Sequence, residues 1–181
     1  MKKTLLVNIS VILLFLICSA FIYQVGETTL KAVFIERVSR FIDWPDEILS
    51  EKDDRLLLTV IGEHEFGPVL DQIYSEYKIK DRDVEIRYVN DMDSLDGSHI
   101  IFVGNLQKSQ IRELFKLCAD KPILIISDHR EYQKEGLMLI YYLLDENITF
   151  DINLTAVKQS GLMMSYHLLN RANIYEIEIT D

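Results

Sequence analysis

Cysteine is nearly absent from this sequence: 181 residues hold two, Cys18 and Cys118. Cys18 lies in an N-terminal leader pattern, so a processed chain would keep only Cys118, and an internal disulfide is excluded. Cys118 falls in an apolar helical stretch, where a buried and inert thiol is the expected state. Basic charge is also short, with 19 Lys and Arg against 29 Asp and Glu and a formal net charge of −10. A chain that acidic lacks the electrostatic footprint of a nucleic-acid or anionic-lipid binder.

Enzyme signatures are missing as well. There is no G-x-G-x-x-G turn, no phosphate-binding P-loop and no G-x-S-x-G elbow. His64, His99, His129 and His167 are scattered, and no pair has the spacing of a helical metal site. Ser127 could meet His64 only through the fold. The acidic loops Asp81-Arg82-Asp83 and Asp91-Met92-Asp93 lack the remainder of a calcium-loop signature and read as solvated turns. No cofactor and no metal follow from such a pattern. Repeats, low-complexity tracts and a second domain boundary are absent too.

What is present begins with Lys2 and Lys3, an apolar run through Cys18, and the small residues Ser19 and Ala20. That order is a secretory signal peptide over residues 1–20, leaving 21–181 as a single domain. Its removal takes two lysines and no acids, moving the net charge from −10 to −12 (19 − 2 = 17 bases against 29 acids). An uncleaved anchor is the rival, since Leu5–Tyr23 nearly spans a bilayer, although Asn8 and Ser10 interrupt it.

The stretch 30–45 organises the rest. Leu30, Phe34, Val38, Phe41 and Ile42 recur at helical spacing and predict a buried stripe, with Glu36 and Arg40 paired on the opposite side. Pro45 biases Trp44 out of the helical region, so the helix should stop near Asp43 and leave the indole beside the turn. An indole there could stand half exposed and anchor a partner, together with the charged face carrying Arg37 and Arg40; the alternative is that it plugs the bottom of the sheet.

Downstream, polar residues 46–55 read as a loop. The spacing then predicts a strand at 56–61, a helix at 66–77, a strand with one wetter face at 84–89 and a strand at 100–103. A helix capped by Ser109, with apolar positions at Ile111, Leu114, Phe115 and Cys118, and a strand at 123–126 complete the alternation. The runs 137–144 and 148–152 read as an antiparallel pair at one edge of the sheet. Asn153 should cap a helix over 154–160 that Gly161 ends, and Ser165 should cap another. The polar tail from Ile174 is left open. Strands alternating with helices predict an α/β fold, Rossmann-like or flavodoxin-like, with a mostly parallel sheet, an antiparallel edge pair and helices on both faces.

In such a sheet ligands favour the carboxyl ends of the strands. Those ends deliver Glu63 and His64, Asn90 and Asp91, Gly104 and Asn105, and Ser127, Asp128 and His129. Glu63, Asp91, Asn105 and Asp128 are the weak ligand-binding candidates, weighed against the caps and turns that strand-to-helix loops need anyway.

Several elements together carry a resemblance: Lys31-Ala-Val-Phe-Ile with Phe41-Ile-Asp-Trp-Pro45, Leu58-Thr-Val-Ile-Gly62 with Phe66-Gly67, and Ile123-Leu-Ile-Ile-Ser-Asp128. Phe150-Asp-Ile-Asn-Leu154 and Gly161-Leu162 with Ser165, Leu168-Leu169 and Ala172 extend it. Over residues 28–175 the chain resembles the YfiR (HmsC) family of bacterial periplasmic proteins. The resemblance implies a non-catalytic periplasmic repressor that contacts the periplasmic sensor region of a membrane diguanylate cyclase, lowering cyclic di-GMP and biofilm output. Some relatives are fused to signalling domains, so a sensor histidine kinase is an alternative partner; a small-ligand binding module is another reading. A homodimer is compatible with all of these. Some members carry disulfides that stabilise the repressing form, and this sequence, with Cys118 alone after processing, departs from that.

Overall fold

Residues 26–39 are helical and form α1, which lies across one face of a sheet in a computed structural model that describes residues 26–49, 55–145 and 147–177. The proposed signal peptide and most of the loop before the first long strand lie outside the described residues. The buried positions of α1 are Thr28, Ala32, Ile35, Glu36, Val38 and Ser39, with Phe34 half-buried against the rings of Tyr141 and Phe150 at 4.7 and 5.3 Å.

The helix stops four residues earlier than the proline suggested. Ile42–Asp43 form β1, a short strand that pairs antiparallel with β8 (Met163–Met164). This pairing from far along the chain pulls the backbone out of the helix before Pro45 can act. It also turns Phe41 outward, to 43% exposure, and Leu30 is exposed as well, so neither belongs to the buried stripe. Glu36 is likewise not on a solvent face: it is buried and bonds Arg40, whose guanidinium reaches the surface.

Among the described residues the main sheet has seven strands. After β1 come β2 (Arg55–Ile61), β3 (Asp83–Val89), β4 (Ile100–Val103), β5 (Leu124–Ser127), β6 (Leu139–Leu144), β7 (Asn147–Asn153) and, following β8, β9 (Asn173–Tyr175). Their spatial order is β3-β2-β4-β5-β6-β7-β9. The first five are parallel, in the doubly wound order in which the second strand lies outside the first. Residues 56–61 of β2 and all of β4 and β5 are buried, and alternate side chains point to opposite faces, so both faces are covered. The edge strand β3 keeps the wetter pattern that its alternating sequence predicts.

The antiparallel pair β6–β7 forms as the sequence implied, but it is not the edge of the sheet. β9 joins β7 in parallel and covers it. Two side chains of β7 hold that addition. Asp151, buried, accepts hydrogen bonds from Gln133, Tyr142 and Asn173 at 2.9–3.1 Å. Asn153, fully buried, accepts from the amides of Thr155 and Ile177 and donates from Nδ2 to the carbonyls of Gly136 and Ile177.

The remaining helices are α2 (Val69–Glu76), α3 (Lys108–Cys118), α4 (Leu154–Ser160) and α5 (Tyr166–Leu169). Helix α2 starts three residues later than periodicity indicated, because Gly67 and Pro68 form a turn after Phe66. Helix α3 is capped by Gln107, not Ser109: Gln107 and Gln110 exchange side-chain and backbone bonds in a capping box. Asn153 and Ser165 cap α4 and α5 as their sequence positions suggested.

Candidate functional site

Strand order reverses between β2 and β4, and loops leaving adjacent strands there diverge to opposite sides of the sheet. A cleft of about 800 Å³ opens at these carboxyl ends. Residues after β2 (Glu63, His64, Phe66), after β3 (Asn90), after β4 (Asn105) and after β5 (Asp128, His129) line it. Helix α1 adds Thr28 and Lys31.

Two glycines shape the lip of the cleft. A β-carbon at Gly104 would stand 2.1 Å from the carbonyl oxygen of Glu63, and one at Gly62 2.8 Å from that of Asn105. Gly62 also has φ +87°, a conformation open to glycine at little cost. Their bare backbones allow Glu63 and Asn105 to form an antiparallel bridge, with the Asn105 amide donating to the Glu63 carbonyl at 2.8 Å. The Tyr132 hydroxyl braces the same loop, donating to the Gly104 carbonyl and accepting from the Leu106 amide. Glu63 and Asn105 are thereby fixed by backbone geometry while their side chains stay exposed.

Across the cleft, the Lys31 ammonium sits 3.0 Å from Asp128 and 3.1 Å from Glu27. Partial burial disfavours its charge, but the hydrogen bonds and charges of Asp128 and then Glu27 more than compensate and hold its pKa above the ordinary lysine value. His64 stacks between Phe66 and Tyr88, and burial pushes its imidazole toward the neutral form.

Of the residues the sequence nominated, Glu63, Asn105 and Asp128 come together here and Asp91 does not. The Asp91 carboxylate caps the short 3-10 turn Asp93–Leu95, accepting from the amide and hydroxyl of Ser94 at 3.0 and 2.9 Å. Ser127 is fully buried, and its hydroxyl donates to the Val103 carbonyl at 2.6 Å, so it serves the sheet rather than a nucleophile's role. Lys31 and Thr28 were missed. Only the placement of α1 over the strand ends brings them in; a Glu27–Lys31 pair one helical turn apart was the sole local sign.

The second candidate surface lies on the outer side of α1. A groove of about 510 Å³ between α1 and α2 is lined by Val33, Arg37, Arg40, Phe41, Ile73 and Tyr77, with Glu36 at its base. Arg37 and Arg40 are exposed, as are Phe41 and Tyr77. Trp44 is not part of this surface. It is 4% exposed, and its Nε1 donates to the His99 carbonyl, which corrects the expectation of a half-exposed anchor. The indole is drawn in because β1 turns the chain toward the amino end of β4.

Among the described residues, no group of three or more His, Cys, Asp or Glu is arranged to hold a metal ion, and no helix is long and apolar enough to cross a membrane.

Fold and cleft together define a doubly wound α/β domain with an open polar crevice at its switch point and a separate basic, aromatic groove on its first helix. The chain belongs to the YfiR/HmsC-like family, whose family model matches residues 28–173, from within α1 into β9. A search of curated proteins finds no significant match.

Proposed function

We propose that this chain is an exported, periplasmic regulatory protein that binds the sensor region of a membrane diguanylate cyclase and represses it, lowering cyclic di-GMP and biofilm output. The observation that carries this reading is membership of the YfiR/HmsC-like family across nearly the whole folded domain. The α1–α2 groove supports it. Arginine and aromatic side chains dominate the energetics of protein interfaces, and here Arg37, Arg40, Phe41 and Tyr77 stand together on the surface of a chain whose net charge is −10. Such a groove suits an amphipathic segment presenting carboxylates to the arginines and apolar side chains to the floor. A binding role also agrees with Ser127, whose hydroxyl is engaged by the sheet.

The test is recovery of partners from the envelope fraction of the native cell on the tagged mature protein. Enrichment of a membrane protein with a cytoplasmic diguanylate cyclase domain is the expected result, and its loss with Arg37→Glu maps the contact. Enrichment of a sensor histidine kinase instead would transfer the same docking surface to a different signalling output.

A further inference from the structure

The main sheet ends on one side at β3, and among the described residues no backbone group of another element bonds that strand's outer edge. We infer that this edge is an interface between two copies of the chain, joined antiparallel about a two-fold axis at Ile86.

The strand is well formed for such pairing. Its seven residues, Asp83–Val89, stay in unbroken register with β2, and none is proline or glycine. An edge strand presents unpaired N–H and C=O groups outward, and proteins blunt such edges by shortening, bulging, covering or charging them. The opposite edge is short, since β9 has three residues. On β3 the guard is charge, at Asp83, Glu85 and Arg87.

The order of those charges selects the partner. In an antiparallel pair centred on Ile86, Glu85 of each copy stands opposite Arg87 of the other. Val84 then faces Tyr88 and Ile86 faces its own copy, all on the other side of the sheet. Charges that guard the edge against other strands thus become two ion pairs across the axis. Moving the axis by one residue sets Glu85 against Glu85 or Arg87 against Arg87, so charge also fixes the register. Within one copy the Arg87 guanidinium donates to the carbonyls of Ser94 and Asp96 at 3.3 and 3.1 Å. It has no carboxylate partner among the described residues. Glu85 bonds Arg55 at 2.7 Å but stays exposed, and Tyr88 is 43% exposed, an aromatic surface that Val84 of the second copy would cover.

Pairing at β3 also bears on the α1–α2 groove. Helix α2 is tied to β3 by the Tyr88 hydroxyl, which donates to Asp71 at 2.9 Å, and it supplies Ile73 and Tyr77 to the groove. A two-fold at β3 would therefore carry two grooves at a fixed spacing, and a target with two docking segments would be held by both at once. The dimer goes beyond the repressor reading and is tested without any partner, so either can fail alone.

The experiment is sedimentation equilibrium on the purified mature protein, which should be a dimer when concentrated and dissociate on dilution. Glu85→Arg and Arg87→Glu should each weaken dimerisation roughly tenfold or more, because either homodimer sets four like charges about the axis. An equimolar mixture of the two variants restores opposite charges at both positions and should associate roughly tenfold or more tightly than either variant alone. Hydrogen exchange on the parent keeps the test free of any folding defect. Outward-facing amides of residues 83–89 should slow severalfold from the dilute to the concentrated sample, while those of β9 at the other edge stay unchanged. A monomer at every concentration, a dimer whose β3 amides exchange as in the monomer, or folded variants that associate no better mixed than alone would overturn the inference.

Discussion

The indole Nε1–H of Trp44 donates to the backbone carbonyl of His99, 55 residues further along the chain, at 3.3 Å. The same carbonyl accepts from the Leu124 amide, and the His99 ring Nδ1 accepts from the Leu57 amide. The three contacts gather the end of α1, the start of β2 and the approach to β4 and β5 at one end of the sheet. Trp44 is therefore a structural plug. Trp44→Ala should destabilise the domain by about 3–5 kcal/mol, the usual cost of truncating a buried large aromatic, and lower the melting temperature measured by circular dichroism. An unchanged melting temperature would show that the indole is dispensable to the core.

Asn153 is more than a helix cap. Losing a cap costs about 0.5–2 kcal/mol, but here Nδ2 also donates to the buried end of the sheet, at Gly136 and Ile177. Each carbonyl left unpaired in a buried setting adds about 1–3 kcal/mol, so Asn153→Ala should cost more than an ordinary cap. Chemical denaturation should read a loss above about 2 kcal/mol, with partner binding retained by whatever fraction stays folded. A variant that melts like the parent but loses its partner would make Asn153 a contact residue instead.

How much of this was legible in the sequence follows from where each signal lives. Continuous apolar runs such as Ile100–Val103 announce buried strands because nothing outside the run is needed to read them. The caps at Asn153 and Ser165 are local too, formed with amides two and three residues on. The end of α1 was misread because its partner strand, Met163–Met164, lies far along the chain and leaves no mark near Pro45. Burial of Glu36 and exposure of Phe41 follow from the same tertiary event and reverse what helical periodicity alone implies. In the cleft, the strand ends place Glu63, Asn105 and Asp128 along one lining, a placement that follows from strand direction alone. Asp91 lies outside that lining because its carboxylate accepts from Ser94 in its own turn, while Lys31 enters from an element whose docking cannot be read from spacing.

Gly104 should tolerate no side chain. A β-carbon there meets the Glu63 carbonyl at 2.1 Å, backbone against backbone, so the bridge at the lip must open. Gly104→Ala should destabilise by about 1–3 kcal/mol, the range for overpacking a tight site. Amide exchange at Asn105, whose N–H donates across the bridge, should accelerate. A parent-like exchange rate at that amide would mean the loops part without cost.

Cys118 lies buried in α3, and burial pushes its thiol up to about 11, with nearby Lys121 opposing weakly. A raised folded pKa favours the neutral thiol in the native state through the physiological range, and only above the ordinary cysteine value does ionisation begin to oppose folding. Ellman's reagent at pH 8 should therefore react with the native protein far more slowly than with the unfolded chain. Cys118→Ser should leave repression intact. Rapid native-state labelling, or a disulfide-linked dimer abolished by Cys118→Ser, would contradict an inert thiol.

The central claim is that this domain restrains a membrane cyclase through the surface of α1. The most direct measurement is cellular cyclic di-GMP in the native host with the gene deleted, restored, or restored as Arg37→Glu. Deletion should raise cyclic di-GMP, the parent sequence should bring it down again, and Arg37→Glu, folded and secreted at parental levels, should leave it raised. Cyclic di-GMP unmoved by the deletion would contradict repression itself, and full restoration by Arg37→Glu would remove the α1–α2 groove from the contact.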